Sequence, residues 1–193
     1  MDDELDELLA FADRGMAVAW HAARGPDAPA LITTVGTITY GELNARANRM
    51  ARALRRRGVR RGDAIALLCS NRAEFVEVLL ATQRSGLRLT TVNWHLTADE
   101  AGYIVDDCEA KAVVAECRFA TVARGAVVSA PGAQVRLAVA GSVDGFEDYD
   151  AAVAAEPTGD LDDAALGSQM LYTSGTRGVR RASSATRRRL RRL

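Results

Sequence analysis

Hydrophobic positions along the chain change period repeatedly, and the changes mark out elements. From Asp2 to Arg24 the apolar residues Leu8, Leu9, Phe11, Met16, Val18 and Trp20 recur at helical spacing among polar ones, which predicts a helix that ends at "RGPDAP". "ALITTVGTITY" follows, with β-branched residues on either side of Gly36, and predicts two short strands joined at that glycine. Thr39 and Glu42 then stand at capping-box spacing. Behind them Leu43, Ala47, Met50, Ala51 and Leu54 form one apolar stripe, and Arg46, Arg49, Arg52 and Arg55 are expected to face water. Gly58 is the expected C-cap of this helix.

"AIALLC" (64–69) is continuously apolar, the pattern of a strand covered on both faces of a parallel sheet. The cycle repeats. "AEFVEVLLATQRSG" predicts a helix closed by Gly86, "LRLTTVN" a strand, "TADEAGYIVDDC" a helix with a second capping box at Thr97 and Glu100, and "KAVVAE" a strand. Beyond Cys117 the pattern weakens. "FATVARGAVV" and "YDAAVAAEP" suit helices, and "QVRLAVAG" and "SQMLYTS" suit strands. Strands alternating with helices predict an α/β fold, a mainly parallel sheet with flanking helices.

Composition refines this picture at three points. A chain of 193 residues with 48% hydrophobic and 26% charged positions can bury a core of domain size. Its 25 basic and 25 acidic residues cancel, so no global field recruits nucleic acid or a membrane surface. One lysine, Lys111, against 24 arginines, with abundant alanine, is the bias of a GC-rich coding sequence. The cysteines Cys69, Cys108 and Cys117 lack metal-binding spacing and are expected to be buried free thiols. No stretch reaches the ~18 apolar residues of a membrane span, and a cytoplasmic location is the expectation.

Candidate chemistry sits in the loop after the last strand, because ligands of open parallel sheets lie beyond the strands' carboxyl ends. That loop is "YTSGTRG". Thr173, Ser174 and Thr176 offer hydroxyls, and Gly175 and Gly178 let backbone amides approach a phosphate. It is neither a Walker A loop nor a dinucleotide fingerprint, and a polar surface turn would show the same spacing. His95 is expected to fix a strand-to-helix connection, and Asp106 and Asp107 to be a solvated helix end with no metal role.

"MLYTSGT" (170–176) resembles the phosphate-binding motif of the adenylate-forming enzymes, the acyl-CoA synthetase and AMP-binding superfamily. Upstream, "TYGELNARANRMARALRRRGVRRGD" and the run through "KAVVAE" resemble the amino-terminal region of that family, and "NWHLTADEAGYIVDD" is most similar to its fatty-acyl-CoA synthetase branch. The resemblance covers about Ala28 to Thr176. It implies an incomplete amino-terminal part of the large adenylation domain, here 1–176. It also implies a chemistry in which ATP with Mg²⁺ activates a fatty acid and coenzyme A receives the acyl group.

Carried onto this chain, Thr173, Ser174, Gly175 and Thr176 match the start of the family's TSGTTGxPKG motif, and Gly178 is retained. Arg180, Arg181 and Ala182 stand where Pro-Lys-Gly closes it. The several hundred residues that follow the loop in intact members, with their magnesium-binding and ribose-binding acids and catalytic lysine, have no counterpart here. No catalytic residue and no metal ligand is therefore assigned, and the chain is expected to be inactive.

The 17 residues 177–193 hold eight arginines and no acid. They are expected to form an Arg-rich, disordered tail. Three readings apply: a tether for nucleic acid or an anionic membrane, a solvated end, or out-of-frame translation of a GC-rich gene. The third fits the change of composition where the motif is lost. The alternative to a truncated synthetase is a noncatalytic interaction protein, a partner of an intact synthetase or an anion binder through the tail. An incomplete sheet is also expected to expose a strand edge and apolar faces.

Overall fold

The computed structural model describes residues 2–173 and 181–184. Its amino-terminal stretch is two helices rather than one, α1 (Asp2–Ala12) and α2 (Ala17–Arg24). Gly15 makes the break. Its φ is +73°, and a Cβ there would lie 2.3 Å from the carbonyl oxygen of Gln83, so the turn needs both the conformation and the missing side chain of glycine. A hairpin of β1 (Pro29–Thr33) and β2 (Gly36–Thr39) follows and leads directly into α3 (Tyr40–Arg56). The capping box forms as expected: the Glu42 amide donates to Thr39 Oγ1 at 3.2 Å, and the Thr39 amide to Glu42 Oε2 at 3.0 Å.

The repeating part comprises β3 (Ala64–Leu68), α4 (Ala73–Arg84), β4 (Arg88–Thr91), α5 (Ala98–Asp107), β5 (Ala110–Glu116), a 3-10 turn (Cys117–Phe119), α6 (Ala120–Ser129) and β6 (Val135–Val139). The short strand β7 (Glu147–Asp148), α7 (Tyr149–Ala154), β8 (Ser168–Thr173) and β9 (Arg181–Ser184) complete it. The sheet order is β7-β6-β5-β3-β4-β8-β9, and every neighbouring pair is parallel except β8 with β9. Pairing of β9 with β8 places a strand within the stretch expected to be a tail and covers the β8 edge expected to be open. An edge row of unpaired amides and carbonyls is a template that a following segment can satisfy by returning along it.

Burial on both faces explains why β3 reads as continuously apolar. Ile65 and Leu67 pack with Met50, Leu54, Val78 and Leu137 on the side of α3, α4 and α7. Ala64, Ala66 and Leu68 pack with Ile104, Val105 and Ala126 on the side of α5 and α6. The period-two alternation of a strand thus divides one run between two cores.

The arginines of α3 do not face water. Between α7 and β8 the segment 156–163 lies along this helix and is held by them. Arg49 Nε donates to the Glu156 carbonyl at 3.3 Å. Arg52 donates to the carbonyls of Pro157, Gly159 and Asp160 at 3.1, 2.6 and 3.0 Å. Arg55 pairs with Asp163 at 2.7 Å and Arg56 with the buried Glu156 at 2.8 Å. Asn48 Nδ2 adds bonds to the Thr158 carbonyl and to Asp160 Oδ1. Arg46 turns the other way, onto buried Glu77 at 3.2 Å, which also accepts from Tyr149 Oη at 2.8 Å. A segment without regular structure has carbonyls to satisfy, and arginine's forked donors can satisfy several at once.

Arg84, at the end of α4, is fully buried. Its Nη1 donates to the Asn44 carbonyl, to Asn44 Oδ1 at 2.9 Å and to Asn48 Oδ1, whereas Nε and Nη2 meet no hydrogen-bond partner among the described residues. Burial lowers its pKa to about 10, so it remains a cation at neutral pH.

Candidate functional site

The carboxyl end of β8 is the candidate site. β8 enters the sheet beside β4, with Arg88 opposite Ser168 and Thr90 opposite Met170. It therefore runs in the same direction as the other parallel strands and delivers its last residue, Thr173, to the edge where they all end. Of the predicted site residues, Thr173 closes β8 and stands opposite Arg181 of β9. Ser174, Gly175, Thr176 and Gly178 lie outside the described residues.

Two contacts fix the approach to the loop. Met170 and Tyr172 pack against the core on the α5 and α6 side, and the intervening Leu171 is 43% exposed on the other face. Tyr172 Oη donates to Asp107 Oδ2, which joins β8 to the end of α5, and Tyr103 Oη reaches the other oxygen of the same carboxylate at 3.5 Å. Burial first, and then this bond, push the Tyr172 phenol well above its ordinary range, so it stays a donor. Asp107, expected to be merely solvated, is thus the anchor of the strand that carries the motif. The signal lay in "YIVDDC" and "MLYTS" together, an exposed carboxylate on one element and a half-buried phenol on another, which no local pattern connects.

Neighbouring strands contribute polar groups to the same edge of the sheet. After β3, the Ser70 amide donates at 3.0 Å to Glu116, a buried carboxylate at the end of β5. Reading the sequence did not single out Glu116, although an acid closing an apolar strand run was the available clue. Cys69 beside it is pushed up to about 12, chiefly by burial and then by Glu116 and Glu74, and is a thiol rather than a thiolate at neutral pH. Cys108 is buried too, whereas Cys117 is only half-buried and donates to the Ala140 carbonyl at 2.8 Å; all three are free.

After β4, Asn93 Oδ1 accepts the His95 amide at 3.0 Å, and exposed His95 lies against Trp94, which stacks on Phe119. His95 shapes this connection, as expected. Among the described residues no group of three or more His, Cys, Asp or Glu side chains is placed to hold a metal ion, and no helix is long and apolar enough to cross a membrane.

A cavity of about 810 Å³ lies elsewhere, between the hairpin and the start of α4, lined by residues such as Leu31, Ile38, Arg46 and Phe75. No residue of β8 lines it. The direction of the strands and the position of the motif, rather than cavity size, therefore locate the candidate site.

Comparison with known proteins agrees with this placement. The family model described as "AMP-binding enzyme" matches residues 18–182. A medium/long-chain-fatty-acid–CoA/3-oxocholest-4-en-26-oate–CoA ligase of Mycobacterium tuberculosis is 32% identical over 161 residues, covering 79% of this chain and 29% of the relative. A fatty acid–[acyl-carrier-protein] ligase of Streptomyces coeruleorubidus is 35% identical over 104 residues, 54% of this chain and 20% of the relative. Among solved structures, an anthranilate CoA ligase in complex with anthranoyl-AMP superposes with a TM-score of 0.83 at 21% identity, covering 89% of this chain and 34% of that one. The chain thus spans less than a third of the length of these curated relatives.

Proposed function

The chain belongs to the AMP-binding enzyme family, and from that premise we propose that it is the amino-terminal part of a fatty-acid-activating ligase and does not by itself complete adenylation. The observation that carries this reading is β8. Within a sequence matched to the family from 18 to 182, it brings Thr173 to the carboxyl edge of the parallel sheet at the start of "TSGT". The fatty-acid substrate rests on the two relatives whose names state it. Their acceptors differ, coenzyme A in one and an acyl carrier protein in the other, and of these we propose coenzyme A.

Adenylation of a carboxylate brings two anions together, so the barrier is mainly electrostatic. ATP supplies the adenylyl group, and pyrophosphate leaves. What this chain offers is reception of the outer phosphates, through the hydroxyls of Thr173, Ser174 and Thr176 and the close backbone approach allowed by Gly175 and Gly178. Asp107 holds β8 in place beneath that loop through Tyr172. The site is incomplete in two respects. Arg180 and Arg181 replace the motif's Pro-Lys, and an arginine fork does not reproduce a lysine's point charge and reach. The described residues also present no acidic cluster for Mg²⁺, and we assign it no step.

The test is pyrophosphate exchange. Purified chain incubated with ATP, Mg²⁺, a panel of fatty acids and labelled pyrophosphate is expected to form no labelled ATP. Exchange above that of a protein-free control overturns the claim of inactivity.

A further inference from the structure

We propose that the codons for Arg180 to Ser184 carry, one nucleotide out of register, the Pro-Lys-Gly-Val-Val that completes the phosphate-binding hairpin. The inference rests on the reading of the chain as part of an adenylate-forming ligase, and it locates where the frame of that ligase is left.

Three observations converge on this stretch. The motif holds through Thr176, keeps Gly178 and fails at Arg180, where proline is required. The family match nevertheless continues to residue 182. The backbone also continues as a complete motif would allow. β9 returns antiparallel along β8, with Arg181 opposite Thr173, Ala182 opposite Tyr172, Ser183 opposite Leu171 and Ser184 opposite Met170. The hairpin is present, but Arg-Ala-Ser-Ser contains none of the β-branched or aromatic residues that strands favour.

The genetic code connects the two readings. Written with G or C at every third position, Pro-Lys-Gly-Val-Val is CCG AAG GGC GTC GTC. Loss of either C at the start leaves CGA AGG GCG TCG TC, which reads Arg-Arg-Ala-Ser-Ser whatever base follows. That is the sequence at Arg180 to Ser184.

The residues observed leave no freedom in the parent codons. Any other proline codon would give Gln, Leu or Pro at Arg180, and the other lysine codon would give Lys at Arg181. Any other glycine codon would give Glu, Gly or Val at Ala182, and any other first valine codon would give Leu, Trp or a stop at Ser183. Every forced codon ends in G or C, as the excess of arginine over lysine independently predicts for this gene.

In the parent frame β9 would read Lys-Gly-Val-Val. The lysine would stand opposite Thr173 at the mouth of the loop, as a compact cation for phosphate oxygens. The two valines would stand opposite Leu171 and Met170, as β-branched cross-strand partners.

Sequencing the genomic DNA that encodes Gly178 to Ser184 tests this directly. The expected codons are CGA, AGG, GCG and TCG for Arg180, Arg181, Ala182 and Ser183, with a frame opening from the restored proline that continues as an adenylate-forming ligase. A different codon at any of these positions overturns the inference and leaves family membership untouched. The expected codons followed by an unrelated frame overturn the ligase reading on which the inference rests.

Discussion

Two stretches of this chain are equally rich in arginine and use it in opposite ways. Arg46 to Arg61 contains eight arginines, and so does Arg177 to Arg192. In the first, the side chains of α3 and the residues after it meet partners supplied by distant elements: Glu77, Glu147, Glu156, Asp163 and the carbonyls of 156–160. The second stretch contains no acid of its own and begins where the family motif breaks. Composition does not separate the two. Whether another element presents acceptors at matching positions does, and that decides if arginine is structural or merely basic.

The comparison breaks first, if it breaks at all, at Arg84, the cation on which the α3 network converges. Arg84→Ala should lower unfolding stability by about 3–5 kcal/mol, because it removes a buried side chain and strips partners from Asn44 and Asn48. Arg84→Met should cost distinctly less, since it fills the volume without a buried charge. Urea midpoints of the two variants measure the difference. An equal loss in both would make the polar contacts, not the volume, decisive.

Arg52→Ala should cost about 2 kcal/mol, reduced from the fully buried case because the contacts lie near solvent. Hydrogen exchange should show the loss concentrated at 156–163. Uniform loss over the sheet would mean that this segment is held by something other than α3.

Tyr172→Phe tests the strand that lies between the two arginine regions. It should cost about 1 kcal/mol by removing the bond to Asp107, and Asp107→Asn, which keeps an acceptor, should cost less. Thermal unfolding of both variants checks the order.

The carboxylate partners of the α3 region should respond to pH with opposite signs. Hydrogen bonds from Arg57 and Arg55 hold Glu147 and Asp163 below their ordinary values of 4.5 and 3.8. Their contribution is therefore present above those values and lost as pH falls through the lower folded values. Both carboxylates are substantially exposed, so Glu147→Gln with Asp163→Asn should cost only a few tenths of a kcal/mol at neutral pH, and nothing at the acid end. Glu77 behaves the other way. Burial raises it above 4.5, so its contribution is full below that value and declines as pH rises through the folded one. Relative to Glu77→Gln, the natural chain should lose ground from acid to neutral pH in urea titrations.

The smallest effect is expected in the second stretch. Replacing Arg187, Arg188, Arg189, Arg191 and Arg192 with Ser should move the midpoint by less than ~0.5 kcal/mol. The same replacement should weaken any low-salt binding to DNA. A midpoint change as large as that of Arg52→Ala would erase the contrast between the stretches.

What could be read in advance followed the range of the interactions. The capping boxes at Thr39 and Thr97, the stripe on α3 and the continuous run of β3 are local patterns, and each appears where the sequence places it. The parallel sheet followed from their alternation. Three features were not legible, because each is decided by a partner far along the chain. Gly15 splits the first helix against Gln83, the α3 arginines turn from solvent to a segment about a hundred residues later, and Asp107 acquires Tyr172. At the site, residue type and motif located the loop after β8. The direction of the strand and its anchor required the assembled sheet.

The pairing of β8 with β4 also bears on how the molecule is made. Ser168 meets Arg88 across eighty intervening residues, whereas β3, β4, β5 and β6 with their helices are complete by Val139. During synthesis those strands can assemble while the rest of the chain is still emerging, and closing so long a loop is slow compared with forming local contacts. The strand that carries the motif is then the last of the parallel strands to be seated, guided by an already folded α3 whose arginines capture 156–163 just before it. A ribosome that changes frame near Arg180 would do so when this scaffold is built and only the phosphate-binding hairpin remains to be finished.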